Sequence, residues 1–185
     1  MELMITGLLI FFGMHLIPSL PALRASMVGV VGEKGFKAVF ALISLAGMAL
    51  IVIGKGDAEF TVLYEPPAWG RHVTSLLVLV ALYALISFKV KSSIRAVTAH
   101  PMLWGISAWA AGHLLANGDM ASVLLFASFL IYSLFAMASA NRRGAKPSGS
   151  GLAVKQDGIV LVLAALIYIA LMFFHASITG VPIME

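Results

Sequence analysis

Residues 98–119 read TAHPMLWGISAWAAGHLLANGD, and this stretch decides the fold. Between Arg95 and Asp119 no residue carries a fixed charge. Pro101 predicts a helix that begins there, because the fixed φ of proline suits a first helical turn and its missing N–H is one that would be unbonded anyway. Asn117-Gly118-Asp119 predicts a tight turn at the far end. A charge-free helix closed by a polar turn is what a membrane span looks like, yet His113 lies well inside it. An ionisable ring at that depth costs several kcal/mol, of order, unless it meets a partner, so it marks a functional site first.

Outward from this span the chain repeats the pattern. Charge-free apolar stretches run over residues 3–20, 38–54, 73–88, 96–116, 120–140 and 158–178. A hydrocarbon core of about 30 Å takes roughly 17 to 25 helical residues. The third stretch is short and is expected to borrow Arg71 and His72 at one end and a snorkelling Lys89 at the other. Apolar residues make up 61% of the chain and charged ones only 11%, far too few charges for a soluble surface. The sequence therefore predicts an all-α integral membrane protein, a bundle of six transmembrane helices forming one domain over residues 1–185. The first stretch has no Lys or Arg before it and runs into Pro18-Ser19-Leu20-Pro21 instead of a small-residue cleavage site, so it is expected to be a retained span. Residues 141–151, basic and rich in Gly, Ser and Pro, are expected to be a mobile loop.

Charge distribution predicts orientation. Of the 12 basic residues, ten fall in alternate connections: Arg24, Lys34 and Lys37; Lys89, Lys91 and Arg95; Arg142, Arg143, Lys146 and Lys155. The opposite side keeps Lys55 and Arg71 beside Glu2, Asp57, Glu59, Glu65, Asp119 and Glu185. Basic loops stay cytoplasmic, so both termini are expected outside, in the periplasm if the membrane is a bacterial inner membrane. The net charge of +4 thus resides in loops and does not indicate a nucleic-acid partner. The absence of cysteine excludes disulfides, thiolate nucleophiles, iron–sulfur clusters and Cys-ligated metal.

Topology then assigns depths. At about 1.5 Å of rise per residue, His15 lies roughly 18 Å from the outer end of the first span. His113 lies roughly 18 Å from Pro101, hence about 12 Å from the outer face. The two are level within about one helical turn. His100 falls at the inner boundary, and His72 and His175 near the outer one. Two opposed imidazoles in an apolar, cysteine-free setting suit six-coordinate iron in a haem b, with His15 and His113 as metal ligands and catalytic residues. Gly105, Trp109, Gly112 and Ala116 share or flank the His113 face and are expected to leave room for a flat macrocycle, while Phe11, Phe12 and Gly13 precede His15. The competing reading is that the small residues only let helices cross closely and each histidine bonds a neighbouring helix. Trp104 and Trp109 are expected to line the pocket, and Trp69, after Pro66-Pro67, to be an interfacial anchor. Met14 leaves a His/Met axial pair open but more often packs. Asp119 and Asp157 are expected to be turn and helix N-terminal residues.

The runs LLIFFGMHLIPSLPALR (residues 8–24), GEKGFKAVFALISLAG (32–47) and TAHPMLWGISAWAAGHLLANGD together resemble the NnrU family of bacterial membrane proteins, to which the plant 15-cis-zeta-carotene isomerase is related. The resemblance spans nearly the whole chain. It implies a haem b protein whose axial ligands match His15 and His113, with His72, His100 and His175 matching further family histidines. The family takes its name from a link to nitrite and nitric oxide metabolism.

Two functional classes follow. In the first, one axial histidine, with His15 beside the proline-disrupted end of its span the more labile, leaves on reduction, and a cis polyene in the bilayer is isomerised. In the second, the haem senses nitric oxide or relays electrons in denitrification, with no substrate turned over. A third reading starts from His100-Pro101-Met102-Leu103-Trp104-Gly105, which resembles the HPxYxG stretch of S-adenosylmethionine-dependent membrane methyltransferases. Here Ala99 stands before the histidine, Trp104 replaces the tyrosine, and residues 120–156 contain no Asp or Glu. His100, Trp104 and His72 are kept as a secondary or substrate site. No catalytic Ser-His-Asp spacing, phosphate loop or intramembrane carboxylate pair is present.

Overall fold

The computed structural model describes residues 1–149 and 151–180, apart from the side chain of Ile178; Ser150 and residues 181–185, with the acidic Glu185, lie outside the described residues. The described chain is all-α: α1 (Glu2–Leu16), a 3-10 turn (Ile17–Ser19), α2 (Pro21–Gly56), α3 (Gly70–Ser87), α4 (Ile94–Val97), α5 (Pro101–Ala116), α6 (Met120–Arg142) and α7 (Val154–Thr179). Helices α2, α3, α6 and α7 are each long and apolar enough to cross a membrane, as is the segment Glu2–Ser19. The sixth expected span is α5, which begins at Pro101 as its sequence predicts but has only 16 residues, about 24 Å of rise. Large apolar side chains face outward along these helices, for example Leu166, Phe173 and Phe174 on α7, which is the surface lipid requires.

The chain forms two compact units, Met1–Thr61 and Val62–Glu185. In the first, α1 and α2 pack as a hairpin through glycine. A Cβ on Gly7 would stand 2.7 Å from Ile51 N, and one on Gly47 2.9 Å from Phe11 N. Only hydrogen fits there, so the backbones meet directly and dispersion holds them. Met14 is buried in this packing.

The expected first basic loop is helical instead. Residues 21–31 and 33–56 are two helical pieces of α2, broken where Gly32 takes φ 73° and ψ 165°. That conformation is open almost only to glycine. Glu33 explains why the charged segment stays ordered: its carboxylate accepts from Arg24 at 2.7 and 2.9 Å and faces Lys37 Nζ at 3.6 Å. The Arg24 guanidinium also lies 5.4 Å from the Phe36 ring centre. Gly32→Ala is expected to cost about 1–3 kcal/mol of stability, read from denaturant unfolding in detergent, whereas Gly29→Ala, where a Cβ meets nothing, is expected to leave it unchanged or raise it.

In the second unit α5 packs against α3 and α6, and α7 against α3. Asp157 does more than begin a helix. Its carboxylate accepts from Tyr83 Oη (2.9 Å), Ser93 N (2.8 Å) and Ser93 Oγ (2.5 Å), and Ser93 Oγ accepts from Ala153 N (2.7 Å). This ties the start of α7 to the end of α3 and its following loop. The loop expected to be mobile is anchored too. Ser148 N and Gly149 N both donate to Arg95 O at 2.9 Å, and the Arg95 guanidinium donates to Ser148 Oγ.

Candidate functional site

In the first unit His15 sits in the last turn of α1, half-buried among aromatic rings. Phe11 stacks on it at 4.0 Å between ring centres, and Phe40 of α2 meets it at 4.8 Å. Phe12 touches Phe11 edge-on at 5.3 Å. His15 Nδ1 lies 2.8 Å from Phe11 O. A carbonyl can only accept, so Nδ1 carries the proton and Nε2 is the basic nitrogen of the neutral ring.

The second unit repeats the device on α5. His113 Nδ1 donates to Trp109 O at 2.8 Å, which again makes Nε2 the basic nitrogen. The ring stacks on Phe126 of α6 at 4.6 Å and meets Trp109 at 5.2 Å. Trp109 in turn packs edge-on against Phe126 (5.0 Å) and Phe129 (5.5 Å). Thr74 Oγ1 shares its hydrogen between Gly70 O (2.8 Å) and Gly112 O (2.5 Å), fixing α3 beside the histidine. His175 on α7 has its Nδ1 3.1 Å from Thr179 Oγ1.

The glycines expected to make room for a macrocycle face α3. A Cβ on Gly105 would stand 2.9 Å from Ala81 O, and one on Gly112 3.2 Å from Leu77 Cβ. They serve close helix crossing, because the space beside each is taken by α3. Trp104 does not line that aromatic shell; it is half-exposed on the outside of α5. His100 caps the start of α5, and its Nε2 lies 2.7 Å from Asn141 Oδ1 at the end of α6. His72 is exposed in the first turn of α3. Among the described residues no group of three or more His, Asp or Glu side chains is placed to hold a metal.

Asn117-Gly118-Asp119 is not a tight turn. Asn117 (φ −131°, ψ 116°) and Asp119 (φ −79°, ψ 151°) are extended, and Asp119 bridges to Val62. Asp119 is the N-cap of α6, accepting from Ser122 N at 2.9 Å. The residue that sequence reasoning missed is Tyr64, whose phenol donates to Leu114 O and to Asn117 O (2.9 Å). Nothing in a lone loop tyrosine signals partners 50 and 53 positions away. Burial, and then the charge of Asp119, push its pKa above the ordinary tyrosine value, so it remains a donor through neutral and moderately alkaline pH. The bond to α5 is thus complete below about pH 10 and is lost only as pH rises through the raised value.

These features define a polytopic helical membrane protein with two aromatic-sheltered histidines of fixed tautomer. The chain belongs to the NnrU family, whose model, described as NnrU protein, matches residues 3–183. Comparison with curated proteins and with solved structures finds no match.

Proposed function

We propose that the protein holds one haem b through His15 and His113 and that it isomerises a cis polyene taken from the bilayer. The observation that carries this is the matched pair of Nδ1–carbonyl bonds, 2.8 Å at each histidine. Metal-ligating histidines as a rule donate the second ring N–H in this way, which orients the ring and raises the basicity of the ligating nitrogen. The donor set fits as well: two neutral imidazoles, aromatic neighbours, and no cysteine to compete. Bound there, a haem would be held by His15 and His113 and would supply a redox-active iron. The remaining work is done by the chain. Phe11 and Phe40 beside one ring, and Trp109 and Phe126 beside the other, exclude water and restrict ring rotation. The apolar outer surface of the helices suits a substrate taken from lipid.

The optical spectrum of the purified protein, oxidised and reduced, tests this. Low-spin bis-imidazole haem extractable with acid-acetone is expected, since the chain has no cysteine for covalent attachment. Colourless protein from haem-replete cells defeats the reading, and a high-spin five-coordinate spectrum defeats its two-ligand form. With haem present, conversion of a cis polyene in detergent by the reduced protein supports isomerisation. Tight nitric oxide binding with every polyene unchanged favours a sensing or electron-relay role.

A further inference from the structure

We infer that Tyr64 is a positioning residue for His113, acting through a strap, residues 62–70, that closes the C-terminal end of α5. The inference deepens the reading of His113 as a ligand and rests on it for its spectroscopic consequence. Helix ends leave carbonyls without partners, and glycine in a left-handed conformation commonly resolves this. Helix α5 has no such cap, since Asn117 is extended. Two of its last four carbonyls find partners at Asn117 and Tyr64. His113 O accepts from Asn117 N and Asn117 Nδ2, both at 2.9 Å. Leu114 O accepts from the Tyr64 phenol, which also reaches Asn117 O. Gly118 O accepts from Leu63 N (2.8 Å) and Tyr64 N (3.2 Å).

Two glycines make this approach possible. A Cβ on Gly118 would overlap Tyr64 O, and one on Gly70 would overlap Leu115 O. The strap is therefore seated on backbone at both ends of the segment that follows His113. A terminal helical turn frays unless something holds it, and here the turn carries the histidine whose ring direction depends on the Trp109 carbonyl one turn below. Tyr64 never touches the ring. It holds the backbone from which the ring projects.

The test compares full-length wild type with Tyr64→Phe, which removes one hydroxyl and keeps the ring, and with Gly118→Ala, which displaces the strap by a separate route. Tyr168→Phe on α7 is the control. Tyr64→Phe is expected to speed amide exchange at Leu63 and Asn117 by roughly three- to tenfold, the effect of losing one hydrogen bond, and Gly118→Ala by more, because its Cβ meets the Tyr64 backbone. They are also expected to broaden the His113 Nδ1–H resonance of haem-free protein and to convert part of the low-spin haem signal to high-spin. Wild-type exchange rates in both variants overturn the strap. Faster exchange with an unchanged His113 resonance and an unchanged haem spectrum makes Tyr64 merely structural and overturns the positioning role. Should wild type carry no haem, the ligation reading fails by itself, and the His113 resonance alone decides whether Tyr64 positions that ring.

Discussion

His15→Ala and His113→Ala are each expected to abolish the low-spin haem signal, while His72→Ala is expected to retain it in full. The contrast follows from surroundings. His72 is exposed at the start of α3, whereas His15 and His113 are held by an Nδ1–carbonyl bond within an aromatic shell. On the proposed ligation, loss of either ring would remove one of the two residues that hold the haem. His175→Ala is also expected to retain the haem. Parallel measurement of folded protein by size-exclusion chromatography separates ligation from folding. Equal signal loss at His15, His113, His72 and His175 would mean that folding, not ligation, is being measured. If all four variants keep the wild-type spectrum, haem is bound elsewhere or not at all.

A reporter fused at Asp57 is expected to behave as exported and one at Ser148 as cytoplasmic, an all-or-none difference. Ten of 12 basic residues lie on the side assigned to the cytoplasm, and positive loops resist translocation. The structure sharpens the choice of fusion points. Asp57 lies just past the end of α2, so a fusion there leaves every helix of the first unit intact. Ser148 is bonded to Arg95, so a reporter is better carried at Lys146, which is exposed and makes no bond to that loop in the set that anchors Ser148 and Gly149. Cytoplasmic behaviour at Asp57 or export at Lys146 would reverse the orientation, and with it the depths calculated for His15 and His113.

The sequence by itself determined the class and the positions of the apolar helices. Each of these depends on local chemistry: a run of uncharged residues, a proline that starts α5 at residue 101, an Asp119 that caps α6. Family membership was legible for the same reason, since the motifs around His15, Gly32-Glu33-Lys34 and His113 are contiguous. Tertiary structure decided what each residue faces. Gly105 and Gly112 read as room for a ligand until α3 is seen to fill that room. Arg24, Lys34 and Lys37 read as loop because charge interrupts the apolar pattern, but ion pairing to Glu33 keeps Arg24 and Lys37 on helix around a single break at Gly32. Tyr64, Asn141 and Asp157 acquired roles only through partners tens of residues away, at Leu114, His100 and Tyr83. Helix formation is governed by neighbours within about four positions, so a sequence displays it; which face of a helix meets which neighbour is settled by packing across the whole unit, and no local pattern carries that information.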